Sequence, residues 1–191
     1  MSCLPQFQVQ TLLATGIVTI DDVLCSCGRQ HRSAEECTGA THLVFPYRGL
    51  YVRHVGRDDA VAEANQVLFF NAGQGYSVSH PVDGGDGNLS IKLSEDVLRE
   101  LAPASQLRKG PEAVFLRQRR RIDARAQALV ALLRLGVLGV HPLLVRPLLR
   151  PLAVEPRQIL ARRLFDPLGL RQLDQELPVT ASVVAANDRP Q

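Results

Sequence analysis

Between His42 and His80 the chain reads as successive short strands, because brief apolar runs are separated by Gly, Asp and Asn turn signals. Val67-Leu68-Phe69-Phe70 is apolar at every position, which predicts a strand buried on both faces, as in a closed barrel. The segment from Asn71 to Gly75 then turns the chain into Tyr76-Ser77-Val78-Ser79-His80, where Tyr76, Val78 and His80 share one face. Upstream, Ile17 to Cys25 is rich in β-branched residues and predicts the first barrel strand. Phe7 to Thr15 reads as a short helix or as a strand covering the barrel's open end. Downstream, residues 88–93 alternate cleanly, with Leu89, Ile91 and Leu93 expected to point inward.

After that strand the period changes. Ser94 is a helix-capping residue followed by the acidic pair Glu95 and Asp96, so a short helix is expected, ended by Pro103. Residues 113–117 are expected to return as a last strand. From Arg121 to Gly136 the spacing is helical: Ile122, Ala126, Leu129 and Leu133 form one apolar stripe that needs a partner, either the barrel or a second chain. Beyond it, Pro147, Pro151 and Pro156 should break any second long helix into turns or extended pieces.

Composition changes this picture in one respect. A 46% hydrophobic and 21% charged content excludes wholesale disorder. No basic start precedes an apolar run and no stretch offers a membrane span, so a cytoplasmic protein with no membrane partner is expected. The net charge of +3, however, conceals a split: residues 1–102 are net acidic and residues 103–165 strongly basic. That suggests an acidic module followed by a segment able to meet polyanions. The plainer reading makes Arg117, Arg119, Arg120, Arg121 and Arg125 a solvated helix face.

Candidate chemistry is sparse. Cys25, Cys27, Cys37 and His42 offer thiolate and imidazole donors to a metal such as zinc, but Cys-x-Cys is tighter than the usual zinc knuckle. The alternative is a buried Cys25 ending a strand with the others in a loop, all kept reduced in the cytosol. No Ser or Cys nucleophile stands in a triad context, and neither Gly73-Gln74-Gly75 nor the run Gly84-Gly85-Asp86-Gly87 opens a helix as a phosphate loop would. No catalytic residue and no cofactor is therefore assigned. Tyr51, Arg53, His54, Phe69, Tyr76 and His80 are the expected lining of a ligand pocket, from their positions on barrel strands.

The strings LVFPYRGLYVRHVG and ANQVLFFNAGQGYSVSHPVDGGD resemble the N-terminal cupin-type sensor domain of AraC/XylS-family transcription regulators, over residues 17–102. The resemblance implies a mainly β, cupin-like (jelly-roll) barrel followed by α-helices. It also implies an unknown small-molecule effector and a dimer built on the helix carrying Ile122, Ala126, Leu129 and Leu133. Metal-dependent cupins carry a His-x-His, a Glu and a later His. Here His42 falls at the Glu position, Glu36 and Thr38 or Glu35 and Cys37 at the histidine pair, and Tyr76 at the last His. The tetrad is missing, which argues against a metal cupin enzyme and leaves an atypical one as a distant alternative.

Gln158 to Val184 resembles the opening of the same family's DNA-binding domain, with Leu170, Leu173, Val179, Thr180 and Val184 matching its first helix-turn-helix. Asp174 and Pro178 depart from that pattern, and Gln191 comes before the recognition helix would be complete. The expected organisation is a sensor domain over 1–118, a proline-broken helical dimerisation region over 119–156, a helix-turn-helix remnant over 157–186 and a tail over 187–191. The implied function is ligand sensing and dimerisation, as a homodimer or in mixed dimers with a full-length relative, with DNA binding weak and nonspecific. A degenerate but DNA-binding regulator is the alternative.

Overall fold

The computed structural model describes residues 7–29, 31–110 and 112–137. In chain order these form β1 (Phe7–Ala14), β2 (Val18–Cys25), β3 (Glu36–Cys37), β4 (His42–Arg48), β5 (Tyr51–Val55), β6 (Asp58–Ala62), β7 (Gln66–Phe70), β8 (Gly75–Ser79), β9 (Asp86–Leu93), α1 (Glu95–Leu101), β10 (Arg119–Arg121) and α2 (Ala124–Val137). The strands make a six-stranded sheet ordered β1-β2-β9-β4-β7-β10 and a four-stranded sheet ordered β3-β8-β5-β6. Within them, β2 to β9 pair as β2-β9-β4-β7 and β3-β8-β5-β6, the interleaved Greek keys of a jelly roll. The fold is therefore mainly β, as the strand pattern predicts, with β1 and β10 added at the two edges of the first sheet.

Turn chemistry sets this order locally. β5 and β6 are joined by the two-residue loop Gly56-Arg57, which Gly56 opens at a φ of 58°. Gly49, at a φ of 72°, lets the β4–β5 connection pass so close to the β8–β9 loop that a Cβ there would sit 2.1 Å from the Gly85 carbonyl oxygen.

Both faces of the six-stranded sheet are covered over its central strands β9, β4 and β7, and the larger core lies outside the barrel. Leu43, Phe45, Val67, Phe69, Leu89 and Ile91 pack with Val97, Leu98 and Leu101 of α1, with Phe115, and with Ile122, Ala126 and Val130 at and on α2. Each of these side chains, Ala126 apart, contributes about 1.5–3 kcal/mol by leaving water. The space between the sheets holds a smaller cluster of Val44, Tyr51, Ala60, Ala62, Leu68 and Phe70. Leu89, Ile91 and Leu93 thus face the helical layer, and the expectation that they point into the barrel is reversed; the buried Asn88 and Ser90 point there instead.

The segment after α1 differs from its reading. Phe115 makes an isolated bridge to Leu107, and the last strand is β10, six residues later than expected at its start and paired antiparallel to β7. Asn71 holds the 113–116 segment in place: its Nδ2 donates to the Phe115 carbonyl at 3.1 Å and its Oδ1 accepts the Phe115 N–H at 2.8 Å. Arg119, Arg120 and Arg121 lie on this edge strand, not on a helix face. A charged edge resists pairing with another chain. Ser94 stands at the α1 N-cap without a side-chain cap bond; Glu95 instead accepts the Ala113 N–H and pairs with Arg99 at 2.8 Å.

The apolar stripe of α2 packs on the protein's own sheet through Ile122, Ala126 and Val130, with Leu133 partly buried beside them and Leu129 half-buried. α2 is further tied down by Arg134, whose guanidinium carbon lies 3.3 Å from the Tyr47 ring centroid, while the Tyr47 hydroxyl donates to Asp22 Oδ1 at 2.5 Å. Leu170, Leu173, Val179, Thr180 and Val184, with the proline-broken segment, lie outside the described residues. Among the described residues no helix is long and apolar enough to cross a membrane.

Candidate functional site

A cavity of about 170 Å³ opens between the two sheets. Val23, Val44, Tyr51, Phe70 and Val78 supply its apolar walls, with Phe7 at its edge; Glu36, His42, Tyr76, His80, Asp86, Asn88 and Ser90 supply polar atoms. The volume suits a ligand about the size of one aromatic ring, since an apolar cavity of about 150 Å³ holds benzene.

Its centre is a cluster of rings. His42 stacks on Phe70 with centroids 5.1 Å apart, and Tyr76 meets Phe70 edge-on at 4.9 Å. His42 Nδ1 lies 2.9 Å from the Ala40 carbonyl, which fixes the imidazole plane. Burial holds His42 below its usual value of 6.5, so the ring is uncharged at neutral pH. The Tyr76 hydroxyl donates to Glu36 Oε2 at 3.3 Å, and its pKa is pushed up to about 12 by burial and by that carboxylate. Burial also raises Tyr51. The site therefore offers neutral donors and acceptors around aromatic faces, with the carboxylates of Glu36 and Asp86 in its lining.

Of the residues expected to line a pocket, Tyr51, Tyr76 and His80 come together around this cavity and the other three do not. Phe69 lies on the opposite face of β7, stacked on Phe115 at 4.3 Å in the helical layer. One residue of alternation separates it from Phe70, which lines the cavity. His54 points to the outer side of the four-stranded sheet, between Asp59 Oδ1 at 2.6 Å and Ser79 Oγ at 2.8 Å. Arg53 shares the inner face with Tyr51 but is 1% exposed, and its guanidinium is engaged elsewhere. It donates to the Phe69 carbonyl at 2.9 Å and to Gln118 Oε1, and it lies 4.2 Å from the Phe70 centroid. Burial lowers it to about 10, still charged at neutral pH. Glu36 and His42, which the sequence offered only as metal-position substitutes, prove to be cavity-lining; their low-contrast strands gave no signal of it.

Also in the lining, His80 Nε2 lies 2.8 Å from Asp86 Oδ2, and Asn88 Nδ2 donates to Asp86 Oδ1 at 2.5 Å. Beside them Cys25 and Cys27 are joined as a disulfide, so the expectation that both remain thiols is not met. Their α-carbons stand 5.5 Å apart, within the span a disulfide bridges. The proposed metal set of Cys25, Cys27, Cys37 and His42 does not assemble either. Cys37 is exposed on β3, and among the described residues the group of three such side chains that converges is Cys25, Cys27 and His80.

No protein-family model and no curated protein matches the sequence. Solved structures similar to the chain include a cupin superfamily protein from Desulfitobacterium hafniense DCB-2, at 18% identity and a TM-score of 0.38 over 46% of this chain and 77% of that one. A cupin domain from Bordetella pertussis Tohama I is similar at 10% identity and 0.39, over 49% and 99%. The Cnp3 cupin domain of Schizosaccharomyces pombe is similar at 10% identity and 0.41, over 52% and 69%.

Proposed function

We propose that the chain is a small-ligand-sensing jelly-roll module of the AraC/XylS type, which binds its effector without transforming it. The observation that carries this reading is the cavity between the sheets, with the ring cluster of His42, Phe70 and Tyr76 at its centre. A concave, largely aromatic site with a few fixed polar atoms is the usual form of a small-molecule site. The effector it suits is a neutral compound of single-ring size that donates or accepts hydrogen bonds at one edge. A homodimer, or a mixed dimer with a full-length relative, would use surface other than the α2 stripe, which the sheet already covers. Affinity for DNA would come from the arginine-rich half and be nonspecific and salt-dependent. The protein would act in the cytoplasm.

The test is a panel of phenols, aromatic amides and heteroaromatic bases scored by thermal shift and native mass spectrometry. A ligand at 100 times its Kd stabilises by about 2.7 kcal/mol. The expected result is a compound that raises the Tm of the wild type and fails to do so for Tyr76→Ala or His42→Ala. Stabilisation that survives both substitutions would move the ligand elsewhere, and recovery of a chemically altered compound would replace sensing by catalysis.

A further inference from the structure

Cys25 ends β2, Cys27 stands two residues later and His80, distant in sequence, follows the last residue of β8, so the Cys25–Cys27 pair and His80 meet in the fold. All are buried, and each offers a ligand atom within 4.8 Å of the other two. The site is built from two loops locked together: the Arg29 N–H donates to Asp83 Oδ1 at 2.5 Å, and Gly85 packs directly on the Cys25 carbonyl.

The state of His80 is what points to a ligand. Asp86 Oδ2 engages Nε2, so Nδ1 is the nitrogen left for another partner, and in the neutral ring this tautomer places the lone pair on Nδ1. Nδ1 is buried, and among the described residues it has no hydrogen-bond partner. Leaving such an acceptor unused is costly. The arrangement of carboxylate, imidazole N–H and free opposite nitrogen is the one in which a histidine binds a metal, the carboxylate fixing the tautomer and raising the ring's basicity. The Cys27 N–H donates to Cys25 Sγ at 3.3 Å, which holds that sulfur in place beside the ring.

We propose that Cys25 Sγ, Cys27 Sγ and His80 Nδ1 form a zinc site that exists when the two cysteines are reduced and is closed when they are joined. Two thiolates and a neutral imidazole balance the charge of Zn²⁺, as burial requires, and soft sulfur donors suit this ion. Three protein donors leave its fourth position to a solvent molecule. Opening the Cys25–Cys27 bond consumes two electrons and two protons, supplied by two molecules of a thiol reductant that leave as their own disulfide. Zinc then displaces the two cysteine protons to solvent as the Zn–S bonds form. This site differs from the Glu36, His42 and Tyr76 positions at which the cupin resemblance would place a metal, and it stands whether or not the cavity binds an effector.

The experiment uses the full chain, reduced and freed of reductant under anaerobic conditions, then titrated with Zn²⁺ against a chromophoric chelator and with Co²⁺ as a spectroscopic probe. The expected result is one equivalent per chain with thiolate-to-cobalt charge-transfer absorption, and none in the oxidised chain. Cys25→Ser and Cys27→Ser should each weaken binding at least about 100-fold, Asp86→Asn about 10–100-fold, and Cys37→Ser not at all. His80→Ala should abolish it; should that variant fail to fold, the cysteine variants and Asp86→Asn decide. Absence of stoichiometric uptake by the reduced wild type would overturn the proposal. So would uptake unchanged by Cys25→Ser and Cys27→Ser.

Discussion

Phe69 and Phe70 are neighbours in the chain and belong to different compartments: Phe69 stacks on Phe115 in the helical layer, and Phe70 stacks under His42 between the sheets. The two positions should therefore separate stability from recognition. Phe69→Leu is expected to lower stability by about 1–1.5 kcal/mol, a shape change in a packed core, and to leave a ligand-induced thermal shift intact. Phe70→Leu should cost a similar amount and abolish that shift. Urea denaturation with and without ligand measures both quantities.

The three tyrosines make a second prediction. Tyr47 and Tyr76 are pushed up to about 12, and Tyr51 is raised further still, each chiefly by burial. Their folded values exceed the ordinary 10, so the stability they contribute is complete below pH 10 and is lost as pH rises through 12. Ultraviolet titration of the native chain should show no tyrosinate up to about pH 11, against a midpoint near 10 in urea. An ionising tyrosine near pH 10 in the native chain would contradict the packing around it.

His42 works in the opposite direction. Its folded value lies below 6.5, so as pH falls below 6.5 the unfolded chain takes up the proton first and stability declines until the folded value is reached. His42→Gln should flatten this part of the stability profile while leaving stability above pH 7 little changed. Chemical denaturation across the acid range would reveal the difference.

Gly85 has a φ of 66°, and a Cβ on it would lie 1.9 Å from the Cys25 carbonyl oxygen. Gly85→Ala should thus combine backbone strain, about 1–3 kcal/mol, with displacement of the Cys25 strand end. Gly16 has open space around it and no positive φ, so Gly16→Ala is expected to stay within about 0.5 kcal/mol of wild type. Thermal unfolding of the two variants gives the comparison.

Ala126 is 1% exposed against the sheet, and Leu132 is exposed on the far side of α2. Ala126→Leu should overpack the helical layer and cost about 1–3 kcal/mol without altering subunit number. Leu132→Glu should leave stability nearly unchanged. Light scattering after size-exclusion chromatography, read beside denaturation, tests this division.

The strands were readable where β-branched content, an apolar run or alternation met turn residues, as at β2, β7, β8 and β9. What alternation could not tell was which of two buried faces is the barrel interior. In β9 the apolar Leu89, Ile91 and Leu93 meet the helices, and the polar Asn88 and Ser90 line the barrel, because this central strand is covered on both sides. The same parity error exchanged Phe69 for Phe70, while of the adjacent Arg53 and His54, both expected in the pocket, alternation turns His54 outward. The α2 stripe was visible, but its partner, the chain's own sheet, was a matter of tertiary packing. The convergence of His80 on Cys25 and Cys27 had no local signal, since it depends on the pairing of β2 with β9 and on the return of the β8–β9 loop.

The separation of the cavity from the larger core has a consequence for how this scaffold can change over generations. Most of the apolar surface that secures the fold lies between the six-stranded sheet and the helices, away from the cavity. Substitutions at His42, Tyr76, Asn88 or Ser90 alter what the cavity can hold while leaving that layer untouched. On the proposed function, drift in ligand preference is then largely uncoupled from loss of the folded state.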